Sequence, residues 1–101
     1  MFLVQILLPV SVDGAPIASS RFAEVARELT GRFGGLTAYT RAPAEGLWHS
    51  PEGGTAEDQV VVYEVMAEEL DRAWWAEYRQ TLEARFEQDE VVVRAQPIER
   101  L

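Results

Sequence analysis

The chain of 101 residues contains no cysteine and no lysine, and it has one histidine, His49. Without cysteine, disulfides, thiolate zinc centres and cysteine nucleophiles are excluded. A lone histidine excludes a multi-histidine metal cluster. Glu45, Glu52, Glu57 and Asp58 lie near it in sequence but follow no hard-cation ligand spacing, so no metal site is expected. Ser11 and Ser50 stand in no histidine–carboxylate pattern, so a hydrolase triad is unsupported. Long apolar runs are missing as well. The N-terminal one is broken by Gln5 and ends near Val12, too short to span a membrane as a helix. It lacks a basic leader and a small-residue cleavage site, so it reads as a strand and not as a signal peptide. A cytoplasmic location without a membrane partner is the expectation.

Positive charge is scarce. Nine basic residues face 17 acidic ones, for a net charge of −8 that repels a nucleic-acid backbone or an anionic surface. The nine are scattered, so no basic patch offsets this, and no nucleic-acid partner is expected. All nine are arginine, a usage that fits a GC-rich bacterial genome. Gly31-Arg32-Phe33-Gly34-Gly35 looks superficially like a phosphate loop, but it ends a helix, where the dipole is negative, and it lacks the Lys and Ser/Thr of that motif.

What the chain does have is an order of elements that occurs twice. Leu3–Leu8 is a strand-like run, Ser20–Phe33 an amphipathic helix, and Leu36–Arg41 a second strand. Gln59–Met66, a helix near Glu69–Phe86, and Glu90–Gln96 repeat the order. Apolar residues are 48% of the chain, enough for one packed core. Two βαβ halves in this length predict a single α+β domain over residues 1–101. The expected fold is a ferredoxin-like βαββαβ sandwich, with a four-stranded antiparallel sheet in the order 4-1-3-2 and two helices on one face.

The helices carry clear stripes. Phe22, Val25, Ala26, Leu29 and Phe33 follow one buried face of the first, with Ser19 or Ser20 as its expected cap and Gly34-Gly35 as its stop. Leu70, Trp74, Trp75, Tyr78, Leu82 and Phe86 form the stripe of the second, behind Glu68, Glu69 and Asp71. Arg79 and Arg85 are expected to pair with Glu83 and Glu87 along the helix surface. Ala42–Asp58, with Pro43, Gly46, Pro51, Gly53 and Gly54, is expected to be an irregular loop anchored by Trp48.

Strand alternation assigns each side chain to a face. Val4, Ile6, Leu8, Leu36, Ala38, Val61, Val65, Val91, Val93 and Ala95 should face the helices. Leu3, Gln5 and Leu7 should face away, with Thr37, Tyr39 and Arg41, with Val60, Val62, Glu64 and Met66, and with Val92, Arg94 and Gln96. That outer set is too apolar for bare water, so something should cover it. Across it runs a polar row in which Arg94 neighbours Gln5, Gln5 neighbours Glu64, and Glu64 neighbours Tyr39 or Arg41. Glu64 between arginines is the natural pairing. The row is either an internal bonding line under a partner subunit or the lining of a small-molecule pocket closed by the 42–58 loop. In the second case Glu64, Arg94, Tyr39, Gln5, Arg41, Trp48 and His49 are the candidate ligand-binding residues, and His49 is the candidate base.

The two βαβ halves with an apolar outer face resemble the dimeric α/β-barrel superfamily, in which two ferredoxin-like subunits pack sheet against sheet. The stretch Ala73-Trp74-Trp75-Ala76-Glu77-Tyr78-Arg79, continuing through Phe86-Glu87-Gln88-Asp89-Glu90-Val91-Val92-Val93-Arg94-Ala95, is also similar to small bacterial proteins of unassigned activity. The resemblance implies a homodimer. It leaves open whether the chain is a binding or structural module or a cofactor-independent enzyme. An RNA-recognition domain shares the element order, but its exposed aromatics and basic motif are missing from both central strands. No cofactor is expected.

Overall fold

The computed structural model describes residues 1–49 and 55–101. Eight elements follow one another: β1 (Phe2–Pro9), β2 (Ser11–Val12), β3 (Ala15–Pro16), α1 (Ser19–Phe33), β4 (Thr37–His49), β5 (Thr55–Ala67), α2 (Arg72–Arg85) and β6 (Val93–Pro97). The main sheet is antiparallel throughout, in the order β4-β5-β1-β6. This sequence of labels replaces 4-1-3-2, because the segment expected to be a plain loop forms a small ribbon, β2 and β3, that enters the count. Its turn is Asp13-Gly14, both at positive φ (50° and 79°), the two-residue geometry that Asp-Gly favours.

Both helices pack on one face of the sheet. Val25 and Leu29 of α1 meet Trp75, Tyr78 and Leu82 of α2 over Val4, Ile6, Leu8, Val61, Tyr63 and Val65, all buried in one cluster. Ala38 and Ala95, expected to face the helices, are exposed, because they sit on the two edge strands. Burying the eight most enclosed side chains, Phe86 and Ile6 among them, stabilises the fold by about 1.5–3 kcal/mol for each large one.

The helix ends differ from the expectation in three places. The N-cap of α1 is Ala18 and makes no side-chain cap, so Ser19 and Ser20 belong to the first turn. α2 begins at Arg72, where the Asp71 carboxylate accepts the Trp74 N–H at 3.0 Å, so Glu68 and Glu69 precede the helix. Its far end closes with Gln88 N–H donating to the Glu83 carbonyl at 2.9 Å and Glu87 at φ 53°, a Schellman turn built without glycine. Gly34 ends α1 as expected, at φ 81°.

The largest departure is the 42–58 segment. Instead of an irregular loop, β4 and β5 run on as a hairpin whose backbone pairs Ala44 with Val60 and continues to His49 with Thr55; residues 50–54 lie outside the described residues. Pro43 falls inside the register shift between Tyr39 and Ala44, and β4 is an edge strand, the two places where a sheet tolerates a missing N–H. β1 last pairs with β5 at Pro9–Val60, so the outer part of the hairpin extends past the rest of the sheet.

The adjacent tryptophans have separate tasks. Trp75 is buried and stacks on Phe33 at 5.3 Å between ring centres. Trp74 is half-buried, stacks on Tyr78 at 4.8 Å and lies under the Arg32 guanidinium at 4.1 Å. One fills the core between the helices; the other seals the groove above it.

Candidate functional site

The outer face of the sheet presents a row of four polar side chains, one from each strand. Registers place Arg94 of β6 opposite Gln5 of β1, Gln5 opposite Glu64 of β5, and Tyr39 of β4 two pairs along from Glu64, which sits opposite Thr37. Arg94 Nε donates to Gln5 Oε1 at 2.9 Å, and Gln5 Nε2 donates to Glu64 Oε2 at 3.0 Å. The Tyr39 hydroxyl also hydrogen-bonds Glu64, which raises the phenol above its ordinary value because ionisation would set two negative groups together. The row is polarised. A cation stands at one end, donors point in sequence toward the carboxylate, and the Gln5 amide relays between them.

This arrangement corrects one expectation. Arg94 does not pair directly with Glu64. Gln5 separates it from Arg94, since the two charged residues lie on strands two apart. Arg41 falls on the β4 backbone within the irregular stretch between Tyr39 and Ala44, and its side chain lies outside the described residues. Trp48 and His49 are backbone partners of Ala56 and Thr55, so along β5 they lie about 26 and about 30 Å from Glu64. Their side chains also lie outside the described residues. The backbone therefore gathers Glu64, Gln5, Arg94 and Tyr39 into one site and carries Trp48 and His49 away from it. A lid folded back by the 42–58 segment is replaced by a strand that continues outward.

Apolar side chains flank the row. Leu3, Leu7 and Val62 are half-buried, while Tyr39, Met66 and Val92 expose 53%, 46% and 43% of their surface. None of them joins the core cluster on the helix side. Two shallow clefts border Leu3. One of about 280 Å³ is lined by Gln5, Arg94 and Gln96; one of about 610 Å³ wraps the end of the sheet from Glu64 and Met66 to Phe33 and Gly34 at the end of α1. A third, of about 270 Å³, lies elsewhere, between the β2–β3 ribbon and the start of α1, with Arg21 and Arg85 on its wall.

A second polar cluster, between the helices, was not legible in the sequence. Arg85 reaches across to α1 and donates two bonds to Glu28, at 2.6 and 3.1 Å, with Glu24 at 3.4 Å. The Tyr78 hydroxyl donates to the same carboxylate at 2.9 Å. Arg85 thus pairs across the helices and not with Glu83 or Glu87, whereas Arg79 and Glu83 approach to 3.8 Å as expected. Glu83 also accepts the Val91 N–H at 3.0 Å and so fixes the approach to β6. The hydrogen bond from Arg85 holds the Glu28 carboxyl below its ordinary value against the opposing effect of burial. Burial first, then the bond to Glu28, pushes the Tyr78 phenol up. These contacts tie α1 to α2.

Among the described residues no helix is long and apolar enough to cross a membrane, and no group of acidic and histidine side chains is disposed to hold a metal ion.

No protein-family model matches the chain, and no curated protein matches it by sequence. Solved structures do match by fold. A mutant of CutA1 from Pyrococcus horikoshii OT3 gives a TM-score of 0.63 at 14% identity, covering 100% of this chain and 86% of that one. A phage SAM lyase in complex with S-methyl-5′-thioadenosine gives 0.58 at 18% identity, over 94% of this chain and 79% of that chain. The same lyase in its apo state gives 0.53 at 19% identity, over 94% and 78%. Likeness at such identity is likeness of fold, and it places the chain among small α+β proteins of the ferredoxin-like type.

Proposed function

We propose that the chain is a small binding module that associates with a second copy of itself through the outer face of its sheet, in the manner of a dimeric α/β barrel. The observation that carries this reading is the exposure of Tyr39, Met66 and Val92 around a row of polar side chains bonded to one another, on a face that the helices leave untouched. Apolar side chains grouped in this way, around a hydrogen-bonded polar line, are the composition of an interface core and not of a solvated sheet. Mass in solution tests it. At tens of micromolar the protein should have about twice the chain mass of 11.4 kDa; a monomer at that concentration overturns the reading.

A second reading, a small-ligand binder or cofactor-independent enzyme, draws support from the 610 Å³ cleft with Glu64 on its wall. One protein of similar fold holds S-methyl-5′-thioadenosine. A neutral ligand of that size would stack on Met66 and Leu3 and donate to Glu64. Its binding would raise the melting temperature in proportion to the logarithm of ligand concentration. Glu64→Gln should abolish that rise while the fold survives, and the absence of any rise at millimolar nucleoside counts against this ligand.

A further inference from the structure

We infer that the two subunits meet about a two-fold axis that runs along β1 over Gln5, so that Glu64 of each protomer faces the partner's Arg94. The inference rests on the sheet-face association proposed above and specifies its symmetry and its ionic contacts.

Face-to-face packing of two identical sheets requires a two-fold axis lying in the plane between them. The two limiting directions lie across the strands and along them. An axis across the strands at the level of the row returns each strand onto its own copy. It sets Glu64 against the partner's Glu64 and Arg94 against the partner's Arg94, so like charges meet at the centre of an apolar layer, where they repel most strongly. An axis along the strands exchanges the two sides of the sheet and keeps the level. Glu64 and Arg94 sit at one level, one strand to either side of Gln5, each about 4.8 Å away from it. An axis over β1 therefore interchanges their positions. Both carboxylates face guanidinium groups, and Gln5 faces the partner's Gln5, whose amide can both donate and accept.

The apolar residues of β1, β5 and β6 follow the same operation, while β4 with Tyr39 lies beyond the partner's edge strand. Leu3 meets the partner's Leu3, and Leu7 meets the partner's Leu7. Val62 and Val92 are both opposite Leu7, one on each neighbouring strand, so Val62 meets the partner's Val92. Met66 and Gln96 are both opposite Leu3 and meet in the same way. Moving the axis to the gap between β1 and β5 would instead oppose Glu64 to the partner's Gln5 and Arg94 to the partner's Thr37, leaving the charges a strand apart. The bonding already present favours the β1 axis. Arg94 uses Nε for Gln5, and among the described residues its two terminal nitrogens have no acceptor. A planar guanidinium held by Nε presents that free edge to a carboxylate.

Charge reversal tests the pairing by complementation, read by sedimentation equilibrium. Glu64→Arg gives a subunit with two cations in the row and Arg94→Glu one with two anions. Each alone should be monomeric at concentrations where the wild type is dimeric, and an equimolar mixture should regain the dimer mass, since each protomer then offers the charge that the other lacks. Glu64→Gln is the conservative companion. It keeps an acceptor for Gln5 but removes the charge, and it should weaken the dimer by at least about 30-fold while the melting curve of the diluted monomer stays unchanged. Reversed variants that dimerise like the wild type, or a mixture no heavier than its components, overturn the inferred axis and leave the interface standing. A wild type that is monomeric overturns the interface and the axis together. If either reversed variant fails to melt cooperatively, Glu64→Gln decides, and an unchanged dissociation constant overturns the pairing.

Discussion

Replacing Arg85 by methionine tests the ionic cluster that ties the end of α2 to α1. Methionine keeps the aliphatic stem that packs beside Phe86 and deletes the guanidinium. The lost contacts are two bonds to Glu28, at 2.6 and 3.1 Å, and the pair with Glu24 at 3.4 Å. The magnitude lies between two limits. An exposed pair is worth about 0–1 kcal/mol, and removing one partner of a buried pair costs about 3–5 kcal/mol. Arg85 exposes 13% of its side chain and Glu28 35%, so water reaches the carboxylate and takes over part of its solvation. Tyr78 also continues to donate to it. An intermediate loss of about 2 kcal/mol follows, which lowers the melting temperature of a domain this size by about 10 °C at fixed protein concentration. The pH dependence has a definite sign. Glu28 has its carboxyl depressed from 4.5 in the folded state, chiefly by Arg85. Its contribution is therefore present above the unfolded value and disappears as pH falls through the folded one. The gap between wild type and Arg85→Met should be full at pH 7 and shrink steadily below pH 4.5. In a double-mutant cycle with Glu28→Gln, the two costs should fall short of additive by at least about 1 kcal/mol. Additivity within about 0.3 kcal/mol, or a melting gap equal at pH 7 and pH 3, would refute the network as a source of stability.

Three further substitutions probe how the helices are built. Trp75→Ala should cost about 3–5 kcal/mol in urea unfolding because the ring fills the core against Phe33, whereas Trp74→Ala should cost about 1–2 kcal/mol because its ring is half in water; equal costs would contradict the division of tasks. Glu87→Gly should raise stability by about 0.5–1 kcal/mol, because φ 53° is strained for any side chain and free for glycine, and a lower melting temperature would show that the glutamate makes a compensating contact.

Much of the architecture was legible because it follows from short-range periodicity. Alternation in Phe2–Pro9 and Val60–Ala67 separates Val4, Ile6, Val61 and Val65 from Gln5 and Glu64, since a strand has no other way to place neighbours. The stripe through Val25, Leu29 and Phe33 and the left-handed Gly34 are equally local. The hairpin arm was not, because Pro43, Gly46 and Gly54 discourage a strand by propensity, and the pairing of β4 with β5 prevails only once the two chains lie side by side. Arg85 presented the same difficulty. Glu83 and Glu87 are close to it in sequence, but Glu28 is closer in space once the helices cross.

The sequence by itself determined which residues face the helices and which face away, because a period of two or 3.6 residues is enforced by backbone geometry before any packing occurs. Only the tertiary structure decided who bonds to whom: that Arg94 gives its Nε to Gln5 and Gln5 its amide to Glu64, that Arg85 reaches Glu28 across the helices, and that Trp48 and His49 lie far along the arm. Such contacts depend on distances between segments far apart in the chain, and those distances are set when burial of the common core brings the strands into register.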